Sequence, residues 1–401
     1  MHVALLNTRV RILSFPKALL PIWSHDIQRL MQPPTSPRNH VTPEPFFAFT
    51  ENSVECCIVA SAAAFDQGFA VPKKARFPHL PGKPYMLTRD IYYVMQVQTD
   101  DEDDYGNRPL LEMSENMANA EIPIMYISTF QTDFLLLKQR DLNKAYQIWT
   151  QLNYTVYGLD ILALWDDPEP PPMPSQSQAI PQAVSSGDAN CTDGYNVALT
   201  TDVHPQASQQ DTSLPDPASP TDSSLVLGDK VQPDGSSSSP LTLDVIEHHV
   251  RQIDFTYQRR NEWLQTLIFA LLYPDLVGMA LGMQRFVSYV AAEDEVSLTA
   301  NPCLLKSFGR DHVNSSMESN LYQLFEIHYR NTLRRVGLVF DLAQRIDQRH
   351  LELMYITTYH TACLMVKDQC VDIAREIVGS YALLPDNVDD DNSDEYETVS
   401  E

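Results

Sequence analysis

The sequence is poor in the residues that build common catalytic and metal sites. Thirteen glycines in 401 residues leave few for phosphate-binding loops, and no glycine-rich fingerprint of that kind occurs. The six cysteines show no CxxC spacing, and no Ser-His-Asp order or paired metal ligands can be found. These absences argue against an enzyme, and we expect neither a cofactor nor a metal.

Basic residues are scarce as well. The chain has 28 Lys and Arg against 53 Asp and Glu, a formal net charge of −25. Nucleic acids and anionic membranes reward clustered basic side chains, so neither is an expected partner. The longest apolar run, at 267–283, is interrupted by Pro274 and Asp275 and falls short of the ~20 residues that span a bilayer.

The start of the chain and the cysteines predict a cellular location. Two arginines lie inside the only apolar run near the amino terminus, which argues against a signal peptide. Cys56 and Cys57 stand side by side in an apolar stretch, as reduced, buried thiols do. We therefore expect a cytoplasmic protein.

An internal repeat dominates the rest of the sequence. Residues 125–138 read "MYISTFQTDFLLLK" and residues 354–367 read "MYITTYHTACLMVK", at an offset of 229 without a gap. A second offset of 240 relates "VRILSF" at 10–15 to "VRQIDF" at 250–255, Trp23 to Trp263 and Glu55 to Glu295. Such self-similarity predicts two related halves, each of two units.

The pattern within each unit predicts an α+β fold. From Ile91 the sequence predicts a strand and then a helix that begins near Asn107 and Pro109. Two strands joined by a short turn, a second helix and a last strand come next. This order is the βαββαβ of the ferredoxin-like fold. The last unit repeats it and should end on a strand at "YALL", 381–384. We expect units of this size to pair, through sheet edges or helix faces, because alone they bury little apolar surface.

The predicted boundaries follow composition and repeat. Twelve prolines and a single aromatic residue lie between Asp166 and Pro240, which predicts a disordered linker. The predicted segments are a first unit 1–88, a second unit 89–163, the linker 164–240, a third unit 241–318, a fourth unit 319–385 and an acidic disordered tail 386–401.

The chain resembles the CASTOR family, the cytosolic arginine sensors upstream of the TOR complex. The resemblance is carried by "TRVRILSF" before a tryptophan helix, the hairpin "FFAFTENSVECCIVA" and above all "ISTFQTDFLLLKQRDL". It covers both halves without the linker and tail, and matches the third unit weakly. It implies four tandem ferredoxin-like ACT domains in two pseudo-symmetric halves, an amino-acid ligand and a regulatory protein partner, with a homodimer as a further possibility.

The resemblance also places a ligand pocket between the second and fourth units. The family's polar ligand contacts fall here on Pro123, on Ser319 or Asn320, and on Ala362, and each replacement removes a polar partner. Two lost charge-assisted hydrogen bonds weaken binding by roughly two to four decades, so arginine should not be preferred. The expected ligand-binding residues are Pro123, Ile124, Asp133, Gly337, Leu338, Val339, Thr358, Tyr359 and Ala362.

Two charged features depart from the family pattern. The run of five acidic residues at 100–104 stands in the strand-to-helix loop of the second unit, and its repeat partner carries Arg330, Arg334 and Arg335. Either the two loops form an electrostatic latch, or they are solvated independently. Asp133 stands where the fourth unit has Ala362 and either holds an ammonium group or caps the turn.

Three classes of function follow. An amino-acid-binding regulator of the CASTOR type fits the motif and the lack of catalytic groups. A scaffold whose ACT units have lost ligand binding is the alternative, and an enzyme or its regulatory subunit fits least.

Overall fold

We describe a computed structural model of the chain. The described residues are 1–31, 46–68, 85–98, 107–158, 242–245, 249–273, 284–292, 295–314 and 321–382. All of them belong to one compact unit formed by Met1–Trp165 and Ser237–Glu401. The predicted linker and acidic tail, the acidic loop 100–104, Ser319 and Asn320 lie outside the described residues.

Fifteen strands are formed by these residues. Their bounds are β1 His2–Pro16, β2 Phe47–Glu51, β3 Glu55–Ser61, β4 Met86–Leu87, β5 Tyr92–Gln98, β6 Met125–Ser128, β7 Asp133–Lys138, β8 Thr155–Tyr157, β9 Thr242–Val245, β10 Val250–Asp254, β11 Val287–Ala292, β12 Glu295–Ala300, β13 Leu321–His328, β14 Leu353–Thr357 and β15 Thr361–Lys367.

Eight α-helices connect the strands. Their bounds are α1 Leu20–Met31, α2 Ala62–Gly68, α3 Arg108–Asn119, α4 Leu142–Gln151, α5 Arg260–Leu272, α6 Pro302–Leu305, α7 Leu338–Asp347 and α8 Val371–Ala382. Within the described part of the chain, no helix is both long and apolar enough to cross a bilayer.

Twelve of the strands close into a ring. The order is β10-β12-β11-β2-β3-β1-β5-β7-β6-β14-β15-β13, and β13 pairs back onto β10 through Val250 and Tyr322. The two halves of the chain join where β2 pairs with β11 and where β6 meets β14. Closure pairs strand edges that would otherwise invite association with other chains.

Alternation along the strands divides the apolar residues into three cores. Val10 and Ile12 face a core made almost entirely of strand residues from around the ring, whereas Leu13 and Phe15 face helices α1 and α5. A third core lies under α3, α4, α7 and α8. Successive strand side chains point to opposite faces, so one continuous sheet supports an inner core and two helix-covered outer cores.

Helices of corresponding repeats pack as pairs. Helix α1 contacts α5, and each carries the repeated tryptophan, Trp23 or Trp263, with no exposed surface. Helix α3 contacts α7 in the same way on the other outer core. The expected pairing of units therefore uses both sheet edges and helix faces.

Most predicted elements of the second and fourth segments are present. Helices α3 and α4 agree with the predicted helices, and β5, β6 and β7 agree with the predicted strands. The prediction of a strand at 381–384 is wrong for the two residues of it that are described, because α8 continues through Tyr381 and Ala382. The apolar spacing of Val371, Ala374 and Val378 keeps a helical period, and the helix continues through Gly379 instead of ending there.

Cleaving the chain within 166–236 tests the paired halves. A specific protease site inserted there should yield two fragments that elute together from a size-exclusion column, because each fragment alone exposes the edges of β2 and β6 or of β11 and β14. Separate, folded monomeric fragments at micromolar concentration would contradict the closed ring.

Candidate functional site

A pseudo-twofold axis relates the second and fourth segments. Strands β6 and β14 meet antiparallel at Ile127 and Ile356, which are equivalent at the offset of 229. Thr357 Oγ1 accepts a hydrogen bond from Tyr126 N at 2.6 Å, and Ser128 Oγ accepts one from Tyr355 N at 3.1 Å. Ser128 and Thr357 are themselves equivalent, so each segment offers a hydroxyl to the other's backbone.

Helices α3 and α7 complete this contact. They occupy equivalent positions, and their buried residues share one core: Leu110, Met113 and Met117 from α3, and Leu338, Val339, Leu342, Ala343 and Ile346 from α7. The residues that follow the helices, Glu121 and His350, both have φ of 56°. The repeat therefore holds without a gap through the helices and the turns that lead into β6 and β14.

The symmetry creates two junctions between the segments. The first junction lies between Asn107, at the start of α3, and Leu351–Leu353. The second junction comprises the equivalent positions at the offset of 229, Val336–Gly337 at the start of α7 and Ala118 with Ile122–Ile124. The approach seen there is between Gly337 and Ala118. These are the two places where a ligand would contact both segments.

Several predicted ligand residues lie near the second junction. Ile124, Leu338, Val339 and Ala362 belong to one core and are at most 7% exposed. Pro123, which is partly buried, precedes Ile124 directly. Their role in ligand binding stays a prediction.

Gly337 allows a backbone turn that other residues resist. Its φ is +77°, in the left-handed region, where a side chain is strained. A Cβ built on Gly337 would lie 3.8 Å from Ala118 Cβ. The two small residues bring α7 close to the end of α3.

The side chains of Thr358 and Tyr359 have other partners, and their role in ligand binding stays a prediction. Tyr359 belongs to the core inside the ring, and Thr358 Oγ1 donates to Glu55 Oε1 at 2.6 Å. His360 N donates to the same oxygen at 2.6 Å, and Ser14 Oγ donates to Glu55 Oε2. The turn of the fourth segment therefore binds a glutamate of the first segment.

The equivalent turn of the second segment binds a glutamate of the third. Glu295 Oε1 accepts from Thr129 Oγ1 and, at 3.1 Å, from Gln131 N, while Oε2 accepts from Thr132 Oγ1 at 2.6 Å. We call these two contacts the crosswise glutamate contacts. The pairs Thr129/Thr358, Thr132/Thr361 and Glu55/Glu295 were visible as repeats in the sequence, but nothing there indicated that they touch.

Burial changes the acidity of Glu295. Removal from solvent raises the pKa of its carboxyl, and hydrogen bonds from Thr129, Thr132 and the Gln131 backbone oppose that shift. Glu295 is 6% exposed and Glu55 2%. Buried carboxylates with all-neutral donors hold their partners through hydrogen bonds rather than through ion pairs.

Asp133 lies at the start of β7, opposite Ser128 of β6 and Val97 of β5. Burial raises the pKa of Asp133 to about 6, with the hydroxyls of Tyr126 and Ser128 opposing and Glu295 adding to the rise. The turn itself is held by Thr129 and Glu295, as described above. Asp133 is thus a strand residue with a raised pKa at the second segment's equivalent of Ala362.

The basic residues of the suggested latch lie in the fourth segment. The guanidinium of Arg335 lies over the Tyr329 ring, 4.8 Å from its centroid. Whether Arg330, Arg334 and Arg335 face acidic residues 100–104 stays a prediction, because that loop is not described.

Reactive thiols and metal ligands do not define a site here. Cys56, Cys57 and Cys363 are free and buried, and burial raises the pKa of each thiol. Among the residues described, no group of three or more His, Cys, Asp or Glu is placed to hold a metal ion. The predicted burial is confirmed for Cys56 and Cys57, and that they are reduced stays a prediction.

A known protein family matches one segment of the chain, which includes α3 and strand β6. The ACT domain family matches residues 109–150, from α3 through β6 and β7 to α4. This segment of the chain is similar to an ACT domain. The ACT match begins at the first junction and includes the turn that binds Glu295.

Two solved structures resemble the chain weakly. Aspartate kinase from Synechocystis aligns with 95% of this chain at 10% identity and a TM-score of 0.31, and the chain covers 55% of the kinase. Protein Atu0741 from Agobacterium tumefaciens aligns with 39% of this chain at 16% identity and a TM-score of 0.25, with 90% of that protein covered. No curated protein matches the sequence.

Removing a crosswise glutamate should destabilise the protein strongly. Glu295→Ala leaves Thr129, Thr132 and the Gln131 N–H without their acceptor, which we expect to cost about 3 kcal/mol in the free energy of unfolding. Glu55→Ala should cost a similar amount. Chemical denaturation measures the loss, with the exposed Glu262→Ala as a control that changes little; equal effects in all three variants would refute the contacts.

Asp133 should make stability depend on pH. Because its pKa is about 6 in the folded protein and near 3.8 when unfolded, its protonated form stabilises the fold below pH 4, and that stabilisation is lost as pH rises through 6. Two pKa units correspond to about 3 kcal/mol. Partial solvent contact reduces this to about 1–2 kcal/mol.

Asp133→Asn tests this dependence. The variant should be more stable than the wild type at pH 7.5, with the difference vanishing near pH 4, as measured by urea denaturation at each pH. Asp372→Asn, at a 96% exposed side chain, serves as control. A constant difference across pH would show that the pKa of Asp133 is not raised.

Proposed function

We propose that this protein is a non-catalytic regulator that responds to an amino acid, bound where its second and fourth segments meet. The ACT match at 109–150 supports an amino-acid ligand, since ACT domains commonly bind amino acids. The supporting observation from the structure is the pseudo-twofold contact of β6 with β14 and α3 with α7, which creates two interfacial junctions.

The four repeated segments are, in this proposal, four ACT-like units. The second has the full order of strands and helices, and the first and third each supply a strand, a helix and a hairpin. The resemblance to the CASTOR family extends the proposal to nutrient sensing linked to the TOR complex, through a regulatory protein partner.

The second junction is the proposed ligand site. Ile124 precedes Tyr126 by two residues, so its N–H points to the same strand edge as Tyr126 N, toward the fourth segment. The N–H of Ile124 and the carbonyl of Ile122 can then contact the carboxylate and the ammonium of an amino acid. Ala118, Ile124 and Leu338 supply apolar surface there, and the Asp341 carboxylate lies 3.9 Å from the position of a Cβ built on Gly337.

Arginine fits this junction poorly. Ala362 supplies no carboxylate, and a guanidinium without an acidic partner is strongly disfavoured away from water. The carboxylate of Asp341, in the first turn of α7, does lie near the junction, 3.9 Å from the position of a Cβ built on Gly337. Burial raises the pKa of Asp341, and Arg345 and Arg335 already interact with it and oppose that rise, so its charge is shared with two guanidinium groups of the chain itself. An aliphatic amino acid suits the junction better.

A thermal-shift screen over the twenty amino acids tests the proposal. We expect an aliphatic amino acid to stabilise the protein, by about 2.7 kcal/mol at 100 times its dissociation constant, and arginine to do so far less. Calorimetric titration with leucine and arginine then gives the affinities. Micromolar arginine binding would refute the preference, and no response to any amino acid would favour the scaffold.

A matched pair of variants locates the site. Ala118→Leu fills the space opposite Gly337 and should weaken binding at least tenfold without loss of folding, because leucine is a good helix former. Asn119→Leu, exposed on the same helix, should leave binding unchanged. Equal affinities in the two variants would place the ligand elsewhere.

A further inference from the structure

The start of α3 carries an asparagine that does not cap its own helix. Asn107 stands at the N-cap position, where an Asn side chain normally accepts a hydrogen bond from the first turn, yet it makes no such bond. Its side chain is turned into the first junction and is only 5% exposed. Asn107 is therefore a residue type that favours helix capping, but its side chain is directed to the first junction and not to its own helix.

The carboxamide of Asn107 binds the backbone of the fourth segment at both ends. Its Oδ1 accepts from Leu353 N at 2.8 Å, and its Nδ2 donates to Leu351 O at 2.6 Å. Nδ2 also lies 3.3 Å from Asp347 Oδ1. One planar group thus satisfies a neighbouring donor and acceptor that face the junction.

A free ligand could make the same contacts. A carboxylate or amide oxygen would accept from Leu353 N, and an ammonium or amide nitrogen would donate to Leu351 O and Asp347. Asn107 has both groups and is attached to the chain, so it competes with any free ligand at a very high effective concentration.

The second junction lacks this feature. At the offset of 229, Leu351, Leu353 and Asp347 correspond to Ile122, Ile124 and Ala118, and Asn107 corresponds to Val336. The side chain of Val336 has no hydrogen-bonding group, and Val336 is 44% exposed. The next residue, Gly337, has a left-handed backbone conformation that turns the chain. No side chain equivalent to Asn107 therefore reaches Ile124 N and Ile122 O.

We infer that Asn107 is a built-in ligand that permanently fills the first junction, so that only the second junction accepts a free ligand. Two pseudo-symmetric sites are thereby reduced to one per chain. The statement about the second junction rests on the proposed function; the statement about Asn107 does not.

The decisive experiment restores the missing group from solution. Asn107→Gly removes an acetamide-shaped group without affecting a cap, since the side chain makes no capping bond. Acetamide should then bind the vacated position and raise the melting temperature of the variant in a saturable way. We expect at least tenfold weaker binding of acetamide to the wild type, and the structure of the variant with acetamide should place it against Leu351 O and Leu353 N.

A matched control comes from the same helix. Asn116, whose Nδ2 donates to Glu112 O at 2.6 Å, is partly buried within α3. Asn116→Gly should lower the melting temperature and show no saturable response to acetamide. The same response in both glycine variants, or none in Asn107→Gly, would overturn the inference.

A second variant keeps the test conclusive if Asn107→Gly does not fold. Asn107→Ala retains the Cβ, and formamide replaces acetamide as the matching probe. Saturable stabilisation of this variant by formamide would support the inference, and no stabilisation would overturn it. Because neither probe is an amino acid, a negative amino-acid screen with positive rescue would refute the proposed function and leave the role of Asn107 intact.

Discussion

The two crosswise glutamate contacts are the interaction on which the rest of the structure depends. Glu55 of the first segment binds the turn of the fourth, and Glu295 of the third segment binds the turn of the second. Each contact ties one half of the chain to the other, at corresponding places in the closed ring. A buried carboxylate is costly unless its oxygens find donors, so both turns must be in place for the ring to be stable.

Closure of the ring explains why the threonines of the turns recur. The hydroxyls of Thr129, Thr132 and Thr358 and neighbouring backbone N–H groups are donors to the two carboxylates. The turns lie directly beside the β6–β14 contact. The same repeat therefore joins the first segment to the fourth and the third segment to the second.

Departures from symmetry give the two junctions different chemistry. Asn107 and Asp347 place polar groups at the first junction, where the second has Val336 and Ala118. Gly337 changes the path of the chain at the start of α7, whereas the equivalent Arg108 lies within α3. The two junctions, which are equivalent in the repeat, thus differ: the first is polar and internally hydrogen-bonded, and the second has the apolar Val336 and Ala118 beside the Asp341 carboxylate.

The repeated segments and most of their helices and strands could be predicted from the sequence, because periodicity and turn residues are local properties. The Thr, Glu and Trp repeats were likewise visible at two fixed offsets. Closure of the sheet, the contacts of Glu295 with Thr129 and of Glu55 with Thr358, and the binding of Leu351 and Leu353 by Asn107 became known only from the folded chain. The glutamate and asparagine contacts join residues more than 160 positions apart, and a local pattern carries no information on which distant donor reaches which acceptor.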